Sequence, residues 1–245
     1  MPDHSPVALW LWQGITDLSS QQIAHYRQCL SDSEREYLGA ISAKRRRLEY
    51  IAGHYLLRQI LQYRVPDWAE GLNVEHQRGR APCLTGPNAQ RIHFSLSHSG
   101  SAVCCAVALD CQLGLDLELP RRRKYAEIAE TYFAPVEIEQ LTELPVDEQE
   151  AEFYRLWTLK ESLLKAKSGH LNDESLAVTF RPVMNVSDNS WHCYSFKIPP
   201  LSFALTLSKA LSETLQIQMY RPGMSSHGVL NPEVQRYCPE VSLEA

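Results

Sequence analysis

The 245-residue sequence has no uninterrupted apolar run approaching the roughly 18 residues that a membrane-spanning helix needs. Its opening, MPDHSPVALW, lacks the basic stretch and apolar core of a secretory signal. A protein that stays in the cytoplasm is the expectation. Pairing signals among cysteines are also missing. The seven cysteines (29, 83, 104, 105, 111, 193 and 238) form an odd set without a C-x-x-C pair, so neither a zinc site nor a disulfide framework is implied. Reduced, mostly buried thiols are the reading, with adjacent Cys104 and Cys105 pointing to opposite faces of a strand. A nucleophile elbow of the G-x-S-x-G kind is absent as well, and no repeat shows at the level of residues. Nor is there an excess of positive charge: 24 Lys+Arg stand against 29 Asp+Glu, net −5, which speaks against a general nucleic-acid binder.

What is present is globular in composition, with 44% hydrophobic and 22% charged residues. The length accommodates one large domain or two modest ones. Charge is uneven along the chain. Residues 1–110 carry 11 basic and 10 acidic side chains, whereas residues 111–245 carry 13 and 19. Eight cations fall into two runs, Lys44–Arg47 and Arg121–Lys124. Bunched cations on an acidic protein suit a local anion site, or else a solvated basic face. Duplex DNA binding through Lys44–Arg47 is a weaker alternative, testable by its salt dependence.

Hydrophobic periodicity predicts a strand at Val7–Trp12, a capping box at Ser31 and Glu34, and a helix from about Ser42 to Gln62. That helix carries Lys44, Arg47, His54 and Arg58 on one stripe. Gly53 at its middle suggests a close approach. Ile92–Ser97 and Ala102–Leu109 read as a hairpin. Leu113–Leu119 alternates as a half-buried strand. Helices follow over Tyr125–Phe133, Pro135–Leu144 and Asp147–Lys167, the last closed by Gly169. Strands are expected at Leu176–Phe180, Trp191–Ile198, Phe203–Leu207 and Leu215–Tyr220. The order is helices then strands, twice, an α+β arrangement. It divides into an N-terminal α+β half (1–110), a C-terminal α+β half (111–222) and a loose tail (223–245).

Four constellations could do chemistry. In Gly114-Leu115-Asp116-Leu117-Glu118 the two carboxylates share one strand face. They would suit a hard divalent ion such as Mg²⁺, or simply a solvated surface. In Trp157-Thr158-Leu159-Lys160-Glu161-Ser162-Leu163-Leu164-Lys165, Trp157, Glu161 and Lys165 fall at i, i+4 and i+8 on one helix face. An exposed Glu–Lys pair would look the same. Phe94-Ser95-Leu96-Ser97-His98-Ser99 is a strand ending in Ser-His-Ser, either a hydrogen-bonded cap or a Ser-His dyad. The Lys44–Arg47 run opens a helix, where four cations oppose the helix dipole unless an anion compensates.

Taken together, the ordered set Gly79-Arg80-Ala81-Pro82, Ser97-His98, Gly114-x-Asp116-x-Glu118 and Trp157-x-x-Lys160-Glu161-x-x-x-Lys165 resembles the phosphopantetheinyl transferases of the surfactin-synthetase type. That resemblance implies two pseudo-symmetric α+β halves, each a small antiparallel sheet packed with helices, with the active site at their interface. It implies a pseudodimeric monomer that moves 4′-phosphopantetheine from coenzyme A to a serine hydroxyl of an apo acyl or peptidyl carrier protein, releasing 3′,5′-ADP. Carriers of fatty-acid, polyketide and nonribosomal peptide synthesis are all candidates. By motif match Asp116, Glu118 and Glu161 would hold Mg²⁺, with Glu161 and Lys165 in catalysis. Arg47, Arg80, Ser97, His98, Lys160 and Lys165 would bind coenzyme A. A coenzyme A-binding module without turnover is the runner-up.

Overall fold

The computed structural model describes residues 6–76, 81–121, 125–167, 178–183, 191–224 and 228–241. In chain order the elements are β1 (Val7–Gln13), α1 (Ser20–Gln28), α2 (Asp32–Ala40), α3 (Lys44–Arg64), α4 (Pro66–Ala69), β2 (Asn73–Glu75), β3 (Cys83–Thr85), β4 (Ile92–Ser99) and β5 (Ala102–Leu109). They continue with β6 (Leu113–Glu118), α5 (Tyr125–Tyr132), α6 (Pro135–Glu143), α7 (Val146–Ala166), β7 (Val178–Pro182), β8 (His192–Ile198), β9 (Leu201–Leu207), β10 (Ile217–Met219), β11 (Gly228–Leu230) and β12 (Val234–Val241). Among the described residues no helix is long and apolar enough to cross a membrane.

The chain forms two compact units, each assembled from two segments. Unit 1 takes residues 1–111 and 211–231; unit 2 takes residues 112–210 and 232–245. The sheet of unit 1 runs β11-β10-β1-β5-β4. The β4–β5 hairpin turns at Gly100, whose φ of 62° a side chain would resist. β1 joins it antiparallel, in register Leu9↔Ala106. α3 packs across β5, β1 and β4 because Ile51, Leu57 and Ile60 on its buried face meet Trp10, Trp12, Cys105 and Val107. Tyr26 of α1 closes over this core, its ring 4.1 Å from that of Tyr55.

Unit 2 repeats the plan. Its sheet runs β6-β9-β8-β12-β7, with α7 packed on β6, β9 and β8. In each unit a strand, a 21-residue helix and a hairpin follow one another, and the first strand pairs antiparallel with the hairpin's second strand. The duplication invisible in the residues is therefore plain in the topology.

Three sequence expectations need correction. First, the final strand of the expected C-terminal half belongs to unit 1: β10 lies parallel to β1, Leu9 opposite Ile217, so that sheet is mixed. Secondly, the described residues beyond 223 form strands in place of the expected loose tail. β11 pairs with β10, and β12 pairs with both β8 and β7. Weak hydrophobic periodicity hid β12, since its Tyr237 is buried while Val234 to Arg236 are not. Thirdly, β6 is buried from Leu113 to Leu117 rather than on one face. A Cβ on Gly114 would lie 2.0 Å from the Ser162 carbonyl oxygen, so α7 rests directly on the face that alternation left for solvent. The helix closure expected at Gly169 lies outside the described residues.

Candidate active site

The glycine of the G-x-D-x-E strand sets the geometry of the site in unit 2. Gly114, Asp116 and Glu118 share the strand face turned to α7, and the missing side chain at 114 lets the helix backbone settle onto β6. Ser162 Oγ and Thr206 Oγ1, 2.8 Å apart, seat the helix on β9. Thr206 lies opposite Gly114 in the sheet. This seating brings Lys165 to Asp116, with Nζ 2.7 Å from Oδ1 and also donating to the Leu115 carbonyl at 3.1 Å. Asp116 is 5% exposed. Burial pushes the Glu161 carboxyl up, as do the charges of Asp116 and Glu118, while Lys165 opposes them. Four charged groups predicted from sequence thus gather on one strand–helix face. Trp157 stands apart from them and packs on Phe153 and Tyr132.

Three carboxylates are hard oxygen donors of the kind Mg²⁺ selects, and their mutual repulsion on Glu161 is what a cation would relieve. The chemistry of the donor set fits the ion, although among the described residues no three His, Cys, Asp or Glu side chains converge closely enough to share one. Lys165 is paired with Asp116.

In unit 1, His98 stands near the end of β4, beside α3. Its Nδ1 lies 3.1 Å from Glu49 Oε2 and 3.3 Å from Arg46 Nη1. Glu49 is buried and also accepts from Arg45 Nε at 2.9 Å; Arg45 reaches the Gly100 carbonyl as well. The anion that the cationic helix start calls for is therefore partly supplied from within. Arg47, the residue expected to join His98, instead donates to the Ile41 carbonyl at 3.3 Å. Sequence reasoning missed Arg45, Arg46 and Glu49 as a group. The available signal was their i,i+3 and i,i+4 spacing on one helix. Ser97 is buried within β4, opposite Cys104. Arg80, and Arg122 to Lys124 of the second basic run, lie outside the described residues. Lys160 is 3% exposed and paired with Glu137 at 2.8 Å. None of the seven cysteines forms a disulfide, and four of them are buried.

Residues 112–216, which contain both the strand and the helix of this site, match the 4′-phosphopantetheinyl transferase superfamily. The chain is 31% identical over 158 residues to the 4′-phosphopantetheinyl transferase HetI of Nostoc sp., covering 64% of this chain and 67% of HetI. It is 29% identical over 156 residues to the transferase Sfp of Bacillus subtilis, with 63% and 67% covered. Against the transferase AcpT of Salmonella typhimurium it is 27% identical over 172 residues, 68% of this chain and 85% of AcpT. The chain belongs to the 4′-phosphopantetheinyl transferase superfamily. It is an enzyme of that class, moving 4′-phosphopantetheine from coenzyme A to a serine of a carrier protein.

Proposed function

We propose that this transferase works with Mg²⁺ held by Asp116, Glu118 and Glu161, on apo acyl or peptidyl carrier proteins, as a single chain in the cytoplasm. The observation that carries the metal reading is the gathering of Asp116, Glu161 and Lys165 around one strand–helix contact, with Glu118 close enough to raise the Glu161 carboxyl. A bound divalent ion supplies charge neutralisation on the pyrophosphate of coenzyme A. Lys165 adds a second cation there, released from Asp116. Glu161 accepts the proton of the carrier serine, directly or through water. The serine oxygen attacks the β-phosphorus in line, and 3′,5′-ADP leaves. His98 with Arg46 binds the 3′-phosphate of coenzyme A, Arg46 taking the part expected of Arg47. Arg80 belongs to the same proposed binding set. Seven cysteines without a disulfide accord with the reducing compartment.

The test is transfer itself. Incubation with coenzyme A, Mg²⁺ and several unrelated apo carriers is expected to add one phosphopantetheine mass to each accepted carrier, and chelation to stop it. Asp116→Asn and Glu161→Gln are each expected to lower kcat by about 100-fold or more while the far-ultraviolet spectrum stays unchanged. Near-normal turnover in both variants would refute the ligand assignment. Tight coenzyme A binding with no transfer to any carrier would favour a binding module instead.

A further inference from the structure

Lys160 belongs to the same signature as Glu161 and Lys165, yet its surroundings are unlike theirs. Its Nζ lies 2.8 Å from Glu137 Oε2 and donates to the Val178 carbonyl at 2.7 Å. The rings of Phe133 and Phe180 stand 5.6 and 6.0 Å from it. The same Glu137 oxygen accepts the Ala134 N–H at 2.9 Å, the bond that caps α6. One buried carboxylate therefore ties the start of α6 to the middle of α7, and one buried ammonium ties α7 to β7. Two residues further along α7, Ser162 is bound to Thr206, and its carbonyl fills the space over Gly114. Successive helix residues point about 100° apart, so Glu161 projects between two fixed neighbours. α7 cannot roll about its axis without breaking the contact on one side or the other.

We propose that Lys160 is a positioning residue and not a ligand of coenzyme A phosphates: its buried pair with Glu137 fixes the rotation of α7 and so holds Glu161 against Asp116 and Glu118. This rests on the metal reading given above. Supporting groups of this kind alter metal affinity by about 10- to 100-fold when lost. Removing one partner of a buried pair strands a charge, whereas replacing both by apolar residues of similar volume removes that fault.

The experiment compares Lys160→Met with the double variant Glu137→Met/Lys160→Met. Readouts are kcat, the KM for coenzyme A, and Mn²⁺ affinity measured without substrate. Lys160→Met is expected to lose about tenfold in kcat and in Mn²⁺ affinity, with the coenzyme A KM within about twofold of wild type. In the double variant the two methionines pack against each other in place of the ion pair and keep α6 and α7 in contact, so it is expected to recover most of both losses, which no phosphate ligand could do. If Lys160→Met does not fold, the double variant decides alone, since it buries no unpaired charge. A double variant that folds but stays as impaired as the single one, with its coenzyme A KM raised about tenfold, overturns the proposal. So does a Lys160→Met protein with unchanged kcat and Mn²⁺ affinity. Wild-type protein that transfers phosphopantetheine yet takes up no Mn²⁺ would sink the metal reading, leaving the rescue of kcat to judge Lys160.

Discussion

Two glycines, each at a helix–strand contact, separate what a residue's identity can announce from what only its neighbours decide. Gly53 in the middle of α3 suggests close approach, yet a Cβ there would meet only Leu96 Cδ2, at 3.5 Å. Gly114 draws no attention beyond its motif, yet a Cβ there would stand 2.0 Å from a carbonyl oxygen and 2.4 Å from the Ala166 nitrogen, neither of which can turn aside. Gly53→Ala should therefore be neutral or stabilise by up to about 1 kcal/mol through helix propensity. Gly114→Ala should cost about 3 kcal/mol and lower kcat, because lifting α7 moves Glu161 from Asp116. Urea titrations of both variants check this, and equal effects would contradict it. The charged residues tell a similar story. Asp116, Glu118, Glu161 and Lys165 were legible because strand and helix periods put them on predictable faces. Lys160 was misplaced because a period gives direction only, and burial depends on what packs from α6 and β7.

Helix α2 shows what is readable of an element and what is not. Its capping box is visible in Ser31 and Glu34, and both bonds form: Ser31 N–H donates to Glu34 Oε2 at 2.6 Å, and Glu34 N–H to Ser31 Oγ at 3.3 Å. The stripe of His54 and Arg58 on α3 is visible too. That the two features are one network is not, because a contact across 20 residues leaves no local period. Glu34 is fully buried, with His54 Nδ1 2.6 Å from its Oε1 and Arg58 donating to both oxygens. Beside them, Tyr50 Oη lies 2.5 Å from His76 Nε2, and the Tyr37 ring stacks on His76. Burial, with the neighbouring His54, pulls the His76 imidazole down to about 4, Glu34 opposing. Although burial opposes it, bonding to His54 and Arg58 holds Glu34 down at about 2. Both shifts have the same sign for stability. Below an ordinary imidazole value of about 6.5 the unfolded chain binds the proton that folded His76 refuses. Stability present above that pH is therefore lost as pH falls through 4, and the Glu34 contribution is lost from about 4.5 towards 2. The melting temperature should fall between pH 6.5 and 4 in wild type and less steeply in His76→Gln, which keeps a hydrogen-bond partner for Tyr50. An equally steep fall in the variant would remove His76 as the cause.

At the scale of the whole chain, one division is expected, near residue 110, whereas the chain passes between its two units three times, after residues 111, 210 and 231. Units built from two segments each cannot be read from composition, since nothing local tells β10 which sheet it joins. The consequence is testable by truncation. A chain ending at residue 231 keeps unit 1 entire: Tyr220 still donates its N–H to the Leu11 carbonyl at 2.8 Å, and its ring still lies 5.7 Å from Trp10 and 5.3 Å from Trp12. Unit 2, however, loses β12 from between β8 and β7. Tyr237 leaves the cluster of Leu159, Leu163, Cys193 and Ala204, and Arg155 loses the ring 4.8 Å beneath it. Loss of one large buried aromatic side chain alone costs about 3 kcal/mol, a large part of a domain's margin of roughly 5–15 kcal/mol. Hydrogen exchange should then show β8 and β9 unprotected while β1 and β5 keep their protection. Transfer should fail, because Asp116, Glu118, Glu161 and Lys165 all stand in the unit that opens. A chain ending at residue 210 should lose protection in β1 as well, its partner β10 gone. Full protection of β8 and β9 in the chain ending at 231 would show that β12 merely decorates the sheet, and transfer would then survive with it.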